Sequence, residues 1–183
     1  MTENLNKPKI GRAAKISLAV IIAALLVVVS YFAGYMDQAD QAVFAIIFTL
    51  GVLSVGSTGS ALLISTIGGV AYSFVSPSLG FIMLLPWIVR GLSTDALMWG
   101  LGIFKQNSYP SIAKVTIAMI ISSFLTGLAS YFWLIKFLKV IPDSPLVTLS
   151  TEIAIVIAIV STAIATPLTV RYLYRRIEPI LPW

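Results

Sequence analysis

The sequence predicts an all-α integral membrane protein, folded as a compact bundle of six transmembrane helices. Of its 183 residues, 58% are hydrophobic and 10% are charged, and the mean hydropathy is +0.99. A soluble domain carries about 25% charged residues, so a water-soluble fold of this composition could not cover its own surface. The hydrophobic residues fall in six runs between short polar breaks. Because backbone groups in lipid need hydrogen bonds within their own segment, each run predicts a helix.

The six runs differ in length. The first follows a basic lead and continues for about 20 residues, which is longer than the apolar core of a signal peptide and predicts an uncleaved span. The second and third hold about 15 or 16 apolar residues where a span needs about 20, so they either tilt little or pack against protein. Pro167 predicts a kink in the sixth run. The predicted spans are 14–35, 42–56, 60–75, a stretch within 81–104, 112–134 and 147–172.

The basic residues predict the orientation of the bundle. They concentrate at the two chain ends and around the loop between Lys105 and Lys114, and cytoplasmic segments next to spans are rich in lysine and arginine. This pattern places both chain ends in the cytoplasm, although Lys136 and Lys139 fall on the outer side and disagree with it. We expect one multi-pass domain over 1–183 in the cytoplasmic membrane, with cytoplasmic segments at 1–13 and 173–183. The net charge of +5 then needs no nucleic-acid partner.

The residue types that are missing restrict the chemistry. The chain contains no cysteine and no histidine, which excludes thiol nucleophiles, serine–histidine–aspartate triads and metal sites built on those ligands. It also lacks the glycine–lysine loop of P-loop ATPases. We therefore expect no catalytic residue, no metal and no cofactor. An enzyme acting on lipids or peptides is a minor alternative, because Asp95 is the only acid predicted to lie deep in the membrane.

The stretch PWIVRGLSTDALMWG, residues 86–100, places Arg90 and Asp95 inside a hydrophobic run. Each charge at mid-membrane costs roughly 2.5–3.5 kcal/mol on insertion scales. On a helix the two side chains point about 140° apart, so they do not form an i,i+4 pair. Either each charge meets a partner on a neighbouring helix, or both border a polar, aromatic cavity that opens outward. The cavity interpretation predicts five substrate-binding residues: Arg90, Thr94, Asp95, Trp99 and Trp133.

Small residues mark one face of the first helix. Ala19 and Ala23 lie one helical turn apart, and such faces let two membrane helices approach closely. The face could pack against another helix of the same chain or dock a separate membrane subunit. Both interpretations remain open on the sequence alone.

Three stretches resemble the substrate-binding S components of energy-coupling factor transporters, a family of vitamin-uptake systems. The face of Ala19 and Ala23 is similar to the A-x-x-x-A motif of the family's first helix. The stretch PWIVRGLSTDALMWGLGIFK, residues 86–105, resembles its fourth helix and is closest to the hydroxymethylpyrimidine/thiamine type. The stretch RYLYRRIEPIL, residues 171–181, resembles its basic tail. The first outer loop, MDQADQ, is shorter than the lid of several members, and the lack of histidine differs from the cobalt and nickel branch.

The resemblance implies one subunit of an ATP-driven importer. This subunit would capture a small water-soluble vitamin or precursor, such as thiamine or its pyrimidine moiety, from outside the cell. Its partners would be a transmembrane T component, docked through Ala19 and Ala23, and two ATPase subunits, and it would tip within the bilayer to release its substrate. The alternative is a small structural or assembly subunit of another membrane complex, with no ligand.

Overall fold

A computed structural model describes residues 11–36, 39–76, 80–105 and 109–178. Within these ranges the chain is all-helical, which confirms the predicted fold class. Residues 1–10 and 179–183 of the two predicted cytoplasmic ends lie outside the described residues, as do parts of three predicted loops at 37–38, 77–79 and 106–108. The main helices are α1 (Arg12–Phe32), α2 (Ala39–Val55), α3 (Ser60–Val75), α4 (Leu84–Gly100), α5 (Ile112–Tyr131) and α6 (Pro145–Leu168).

The starts of α6 and α3 show how local sequence sets a helix boundary. The Ser144 hydroxyl accepts a hydrogen bond from the Val147 amide at 3.3 Å, and Pro145 occupies the first turn, where its missing N–H is harmless. Gly59 precedes α3 with a φ of +91°, a conformation that favours glycine. A glycine has no side chain that could cap the helix. The N-terminal amides of α3 therefore need a partner from elsewhere in the fold.

Pro167 lies inside α6, one residue before the helix ends. Its ring removes a backbone donor and crowds the preceding turn. The chain continues from there as a π-helical turn over Thr169–Tyr174 and a short last turn, α7 (Arg175–Ile177). The kink predicted at Pro167 thus appears as a change from α-helical to π-helical geometry just after it.

The six main helices form a closed ring in the order α1, α2, α6, α5, α4, α3 and back to α1. Consecutive helices run in opposite directions, so α1, α3 and α5 point one way and α2, α4 and α6 the other. One half of the ring is filled by a hydrophobic core that includes Leu26, Phe48, Ile64, Met98 and Met119. The other half encloses a cavity, which is described below.

Four helical segments are long and apolar enough to cross a membrane: Arg12–Phe32, Gly80–Gly100, Ile112–Phe137 and Pro145–Ile177. The chain thus has the make-up of a multi-pass membrane protein. Helices α2 and α3 have only 17 and 16 residues, about 25 Å at 1.5 Å per residue. The second half of α2 is almost wholly buried among α1, α3 and α6. The expectation that the short helices pack against protein is confirmed for α2.

The small residues of α1 that could have formed a docking face point into the bundle. Ala19 and Ala23 have no exposed surface, and together with Ile22 and Leu26 they form the side of α1 that faces the bundle. A Cβ atom placed on Gly51 of α2 would come within 2.4 Å of Ile22, so the two helices approach closely here. The small residues of α1 thus serve packing within the chain, which was the other interpretation of the sequence.

The cavity end of the bundle carries the two lysines that disagree with the predicted orientation. Lys136 forms an ion pair with Asp143 at 2.5 Å, so its charge is balanced within the same loop. Basic residues mark the opposite end: Arg12 and Lys15 at the start of α1, Lys114 at the start of α5, and the arginines of the turns that follow α6. The charge pattern therefore continues to predict that the cavity end faces outward.

This orientation can be tested with epitope tags in intact cells. Tags at the N-terminus, at the C-terminus and next to Asn107 are each expected to be protected from an external protease, because all three lie on the predicted cytoplasmic side. A tag next to Lys139 serves as the matched control and is expected to be cleaved. Cleavage of the Asn107 tag in unbroken cells would contradict the six-span arrangement.

Candidate functional site

A cavity of about 350 Å³ lies inside the ring at the predicted outer end, partly open at that end. We call it the outer cavity. Its wall is built from the last turns of α1 and α3, the first turns of α2 and α4, the second half of α5, and α6 from Thr151 to Thr162. This volume lies at the lower end of the range of small-molecule sites. The polar members of its lining are Ser30, Asp40, Gln41, Arg90, Ser123, Thr126, Ser130, Thr151 and Thr162.

Arg90 lies at the floor of the outer cavity. Its side chain is only 7% exposed, and one guanidinium nitrogen donates a hydrogen bond to the Ser123 hydroxyl. The guanidinium carbon stands 5.3 Å from the ring centre of Phe48 and 5.9 Å from that of Phe44, at distances where a cation is attracted to an aromatic face. The Arg90 Nε has no hydrogen-bond partner among the described residues.

A chain of hydroxyl groups joins α4, α5 and α6 at the level of Arg90. The Ser123 hydroxyl is 2.9 Å from that of Thr162 on α6, and Ser122 hydrogen-bonds Thr94 and Ser93 at 2.7 and 2.8 Å. The Ser122 hydroxyl also lies 3.1 Å from the Arg90 carbonyl. Because a buried hydrogen bond is directional, this network fixes the three helices around the floor of the cavity.

Aromatic side chains form the wall between the floor and the mouth. The Trp87 ring stands 5.5 Å from that of Phe44 and 6.0 Å from that of Tyr72. Cβ atoms placed on Gly68 and Gly69 of α3 would come within 2.6 and 2.7 Å of the Trp87 side chain, so the paired glycines make room for it. Trp87 is buried and lines the cavity.

Asp40 and Gln41 stand at the mouth, in the first turn of α2. The Gln41 side-chain amide donates to the Asp40 carboxylate at 2.9 Å. Asp40 is the only acid among the described residues that line the outer cavity, as Arg90 is the only base there. The cavity thus carries opposite charges at its two ends.

Asp95 does not line the outer cavity, where the cavity interpretation of the sequence expected it. Its two carboxylate oxygens accept hydrogen bonds from the backbone amides of Ala61 and Leu62, at 3.2 and 2.8 Å. These are the N-terminal amides of α3 that Gly59 cannot cap, and a negative charge is favourable at a helix N-terminus. Asp95 therefore caps the N-terminus of α3. This agrees with the other interpretation of the sequence, in which the charge meets a partner on a neighbouring helix.

Three other predicted binding residues lie outside the lining. Thr94 is fully buried and ties α4 to α5 through Ser122. Trp99 is 59% exposed on the outer surface of α4, near the end opposite the cavity. The Trp133 indole N–H donates to the Ile82 carbonyl at 3.0 Å, which holds the 3-10 turn Gly80–Met83 against the π-helical turn Phe132–Phe137 that follows α5. Of the five predicted residues, only Arg90 borders the cavity.

Most residues of the cavity wall carry no signal in the sequence. Phe44, Trp87 and Ser123 are ordinary residues of apolar helices, and no motif sets them apart. Asp40 lies in the polar segment that was taken for a loop, although an acid followed by an apolar run is typical of a helix start. Only this charge at the beginning of the second span could have indicated the mouth of a site.

The chain matches no protein-family model, and neither the curated proteins nor the solved structures yield a match. The geometry of the outer cavity and the resemblance found in the sequence therefore carry the functional argument.

Proposed function

We propose that this protein is the substrate-binding subunit of an ATP-driven importer of the energy-coupling factor type, located in the cytoplasmic membrane. It takes up a small water-soluble vitamin or precursor from outside and hands it on through a T component driven by two ATPase subunits. The observation that carries the proposal is the outer cavity, with a buried guanidinium at its floor, inside a bundle of membrane helices.

The cavity has the composition of a small-molecule site. Its wall is mainly apolar and aromatic, with a few polar groups at fixed positions, as is usual for binding pockets. A charged group in a membrane bundle generally faces water, a partner or a ligand. Since Arg90 borders the cavity, a bound molecule is the simplest partner for it.

The position of the cavity also favours capture from outside. It opens at the end that the lysine and arginine pattern places on the outer side. The opposite half of the ring is filled by core side chains, so a molecule could not pass through the bundle in this conformation. Release inward would need movement of the whole subunit, which is the tipping that the family resemblance implies.

The burial of Ala19 and Ala23 changes the proposed contact with the T component. The resemblance assigned docking to this face, but the face is occupied by the chain's own helices. A T component would therefore have to contact residues of this chain other than Ala19 and Ala23. The alternative function is a structural or assembly subunit without a ligand. No feature of the cavity supports this alternative.

Filling the cavity is expected to abolish ligand binding. Ala158 lines the outer cavity on α6, and Ala158→Phe would place a ring in a space of about 350 Å³. The measurement is mass spectrometry of small molecules that co-purify with the detergent-solubilised protein. A molecule enriched with the unmodified protein should fall at least tenfold in the variant, because the ring occupies its volume.

The matched control for this experiment is Val156→Phe, on the same helix. Val156 is 58% exposed on the outer face, where lipid accommodates a larger side chain, so the co-purifying molecule should remain. Equal ligand content in the Ala158 and Val156 variants would contradict a role for the outer cavity. Absence of any small molecule from all three proteins, with no ligand-dependent uptake in cells, would favour the assembly subunit.

A further inference from the structure

We infer that the outer cavity recognises the carboxylate of a small monoanionic molecule, which pairs with Arg90 at the cavity floor while the apolar body of the molecule lies against Phe44, Trp87 and Tyr72. This inference rests on the proposed function and names the class of substrate.

No described acidic side chain balances the charge of Arg90. The guanidinium stays protonated in proteins and offers five N–H donors. Ser123 takes one of them, and no acid lies within ion-pair distance among the described residues. The Nε donor has no partner, although the side chain is more than nine-tenths buried. Buried donors without partners are rare in folded proteins and call for an explanation.

Arg90 can reach a partner from one direction only, the outer cavity. Phe44 and Phe48 cover the guanidinium on the side of α2, and Ser123 holds it on the side of α5. The remaining approach is the cavity that Arg90 lines. A planar guanidinium matches a carboxylate through two parallel hydrogen bonds, so a carboxylate entering the cavity would satisfy donors that the chain leaves open.

The charged residues that line the cavity restrict the charge of a ligand. Arg90 is the only base among the described lining residues, and Asp40 at the mouth adds a negative charge. One carboxylate balances one guanidinium, whereas a phosphate monoester would bring a second negative charge with no basic side chain to meet it. A cation such as thiamine would place its positive charge in the same cavity as Arg90. Pairing with the Arg90 guanidinium at the floor therefore favours a single carboxylate over a dianion or a cation.

The aromatic wall of the cavity indicates the shape of the rest of the ligand. Phe44, Trp87 and Tyr72 stand between the floor and the mouth, and the Trp87 ring contacts the other two. Planar rings stack on such surfaces. A molecule with a planar apolar or heterocyclic body and one carboxylate would thus place each part against a matching wall.

The experiment compares acids with their uncharged amides. The probes are benzoate and benzamide, indole-3-acetate and indole-3-acetamide, and phenyl phosphate, each titrated by calorimetry into the detergent-solubilised full chain at low ionic strength. Since a hydrogen bond to a charged group changes a dissociation constant by roughly ten- to hundredfold, each acid is expected to bind at least tenfold more tightly than its amide. Phenyl phosphate is expected to bind more weakly than benzoate.

Two substitutions at Arg90 separate binding from folding. Arg90→Gln should remove the preference for acid over amide, and Arg90→Lys should keep it while weakening the binding of both acids. The preference is a ratio measured within one variant, so a general loss of folded protein does not imitate the result. Lys136→Gln removes a positive charge from an exposed position at the same end of the bundle and should leave the preference unchanged.

The possible failures point to different conclusions. Amides that bind as tightly as acids, a preference that survives Arg90→Gln, or tighter binding of phenyl phosphate would each overturn the carboxylate inference and leave a binding subunit in place. If no probe shows binding that Ala158→Phe abolishes, the carboxylate inference fails. The proposed function fails with it only if, in addition, no co-purifying molecule is lost from the Ala158→Phe variant.

Discussion

Replacing Asp95 by alanine is expected to lower the stability of the bundle by about 3 kcal/mol, as two hydrogen bonds between a carboxylate and buried amides are lost. Asp95 is 6% exposed and supplies the N-terminal cap of α3, which Gly59 cannot provide. Without the carboxylate, the Ala61 and Leu62 amides stay buried without partners. The measurement is thermal unfolding of the purified protein in detergent, followed by fluorescence or by loss of the monodisperse peak.

Two companion variants make the Asp95 result specific. Asp95→Asn keeps one carbonyl acceptor for the amides of α3, so it should unfold between the unmodified protein and Asp95→Ala. Glu152→Gln changes an exposed carboxyl group on α6 and should leave the unfolding temperature as it is. Unchanged stability of Asp95→Asn together with a large loss of ligand affinity would return Asp95 to the binding site and reject the capping role.

Replacing Gly91 by alanine is expected to disrupt the contact between α3 and α4. A Cβ atom at Gly91 would come within 2.7 Å of the Leu62 Cα and 2.8 Å of the Ala61 carbonyl oxygen. Both are backbone atoms, so the two helices would have to move apart, at a cost of about 1–3 kcal/mol or more for overpacking. The separation would also pull the α3 amides away from Asp95. We expect a fall in unfolding temperature and in the yield of monodisperse protein.

Gly100 provides the matched control on the same helix. A Cβ atom there would meet nothing within 4 Å, so Gly100→Ala is expected to be neutral or slightly stabilising, as alanine is the better helix former. If both glycine variants behave alike, close packing of α3 on α4 is not what Gly91 provides.

The sequence alone left the partner of Asp95 open. A charge within an apolar helix indicates that something must satisfy it, but the sequence does not say whether that partner is a ligand or the chain itself. Gly59 and Asp95 are 36 positions apart, and only the packing of α4 on α3 brings the uncapped helix end to the carboxylate. The close approach at Gly91 makes this contact possible. The same uncertainty applied to Ala19 and Ala23, whose small side chains suit either partner.

The sequence by itself determined the fold class, the number of helices and their approximate bounds, because these depend on composition and on the length of apolar runs. It also determined that Arg90 and Asp95 needed partners, since a charge in an apolar run is unfavourable wherever the run lies. The tertiary structure decided what each one meets. Asp95 accepts hydrogen bonds from the N-terminal amides of α3, and Arg90 contacts Ser123 and borders the outer cavity. The ring order α1, α2, α6, α5, α4, α3 places residues from all six helices around that cavity. Such proximity comes from side-chain packing between distant segments, which no local pattern in the sequence encodes.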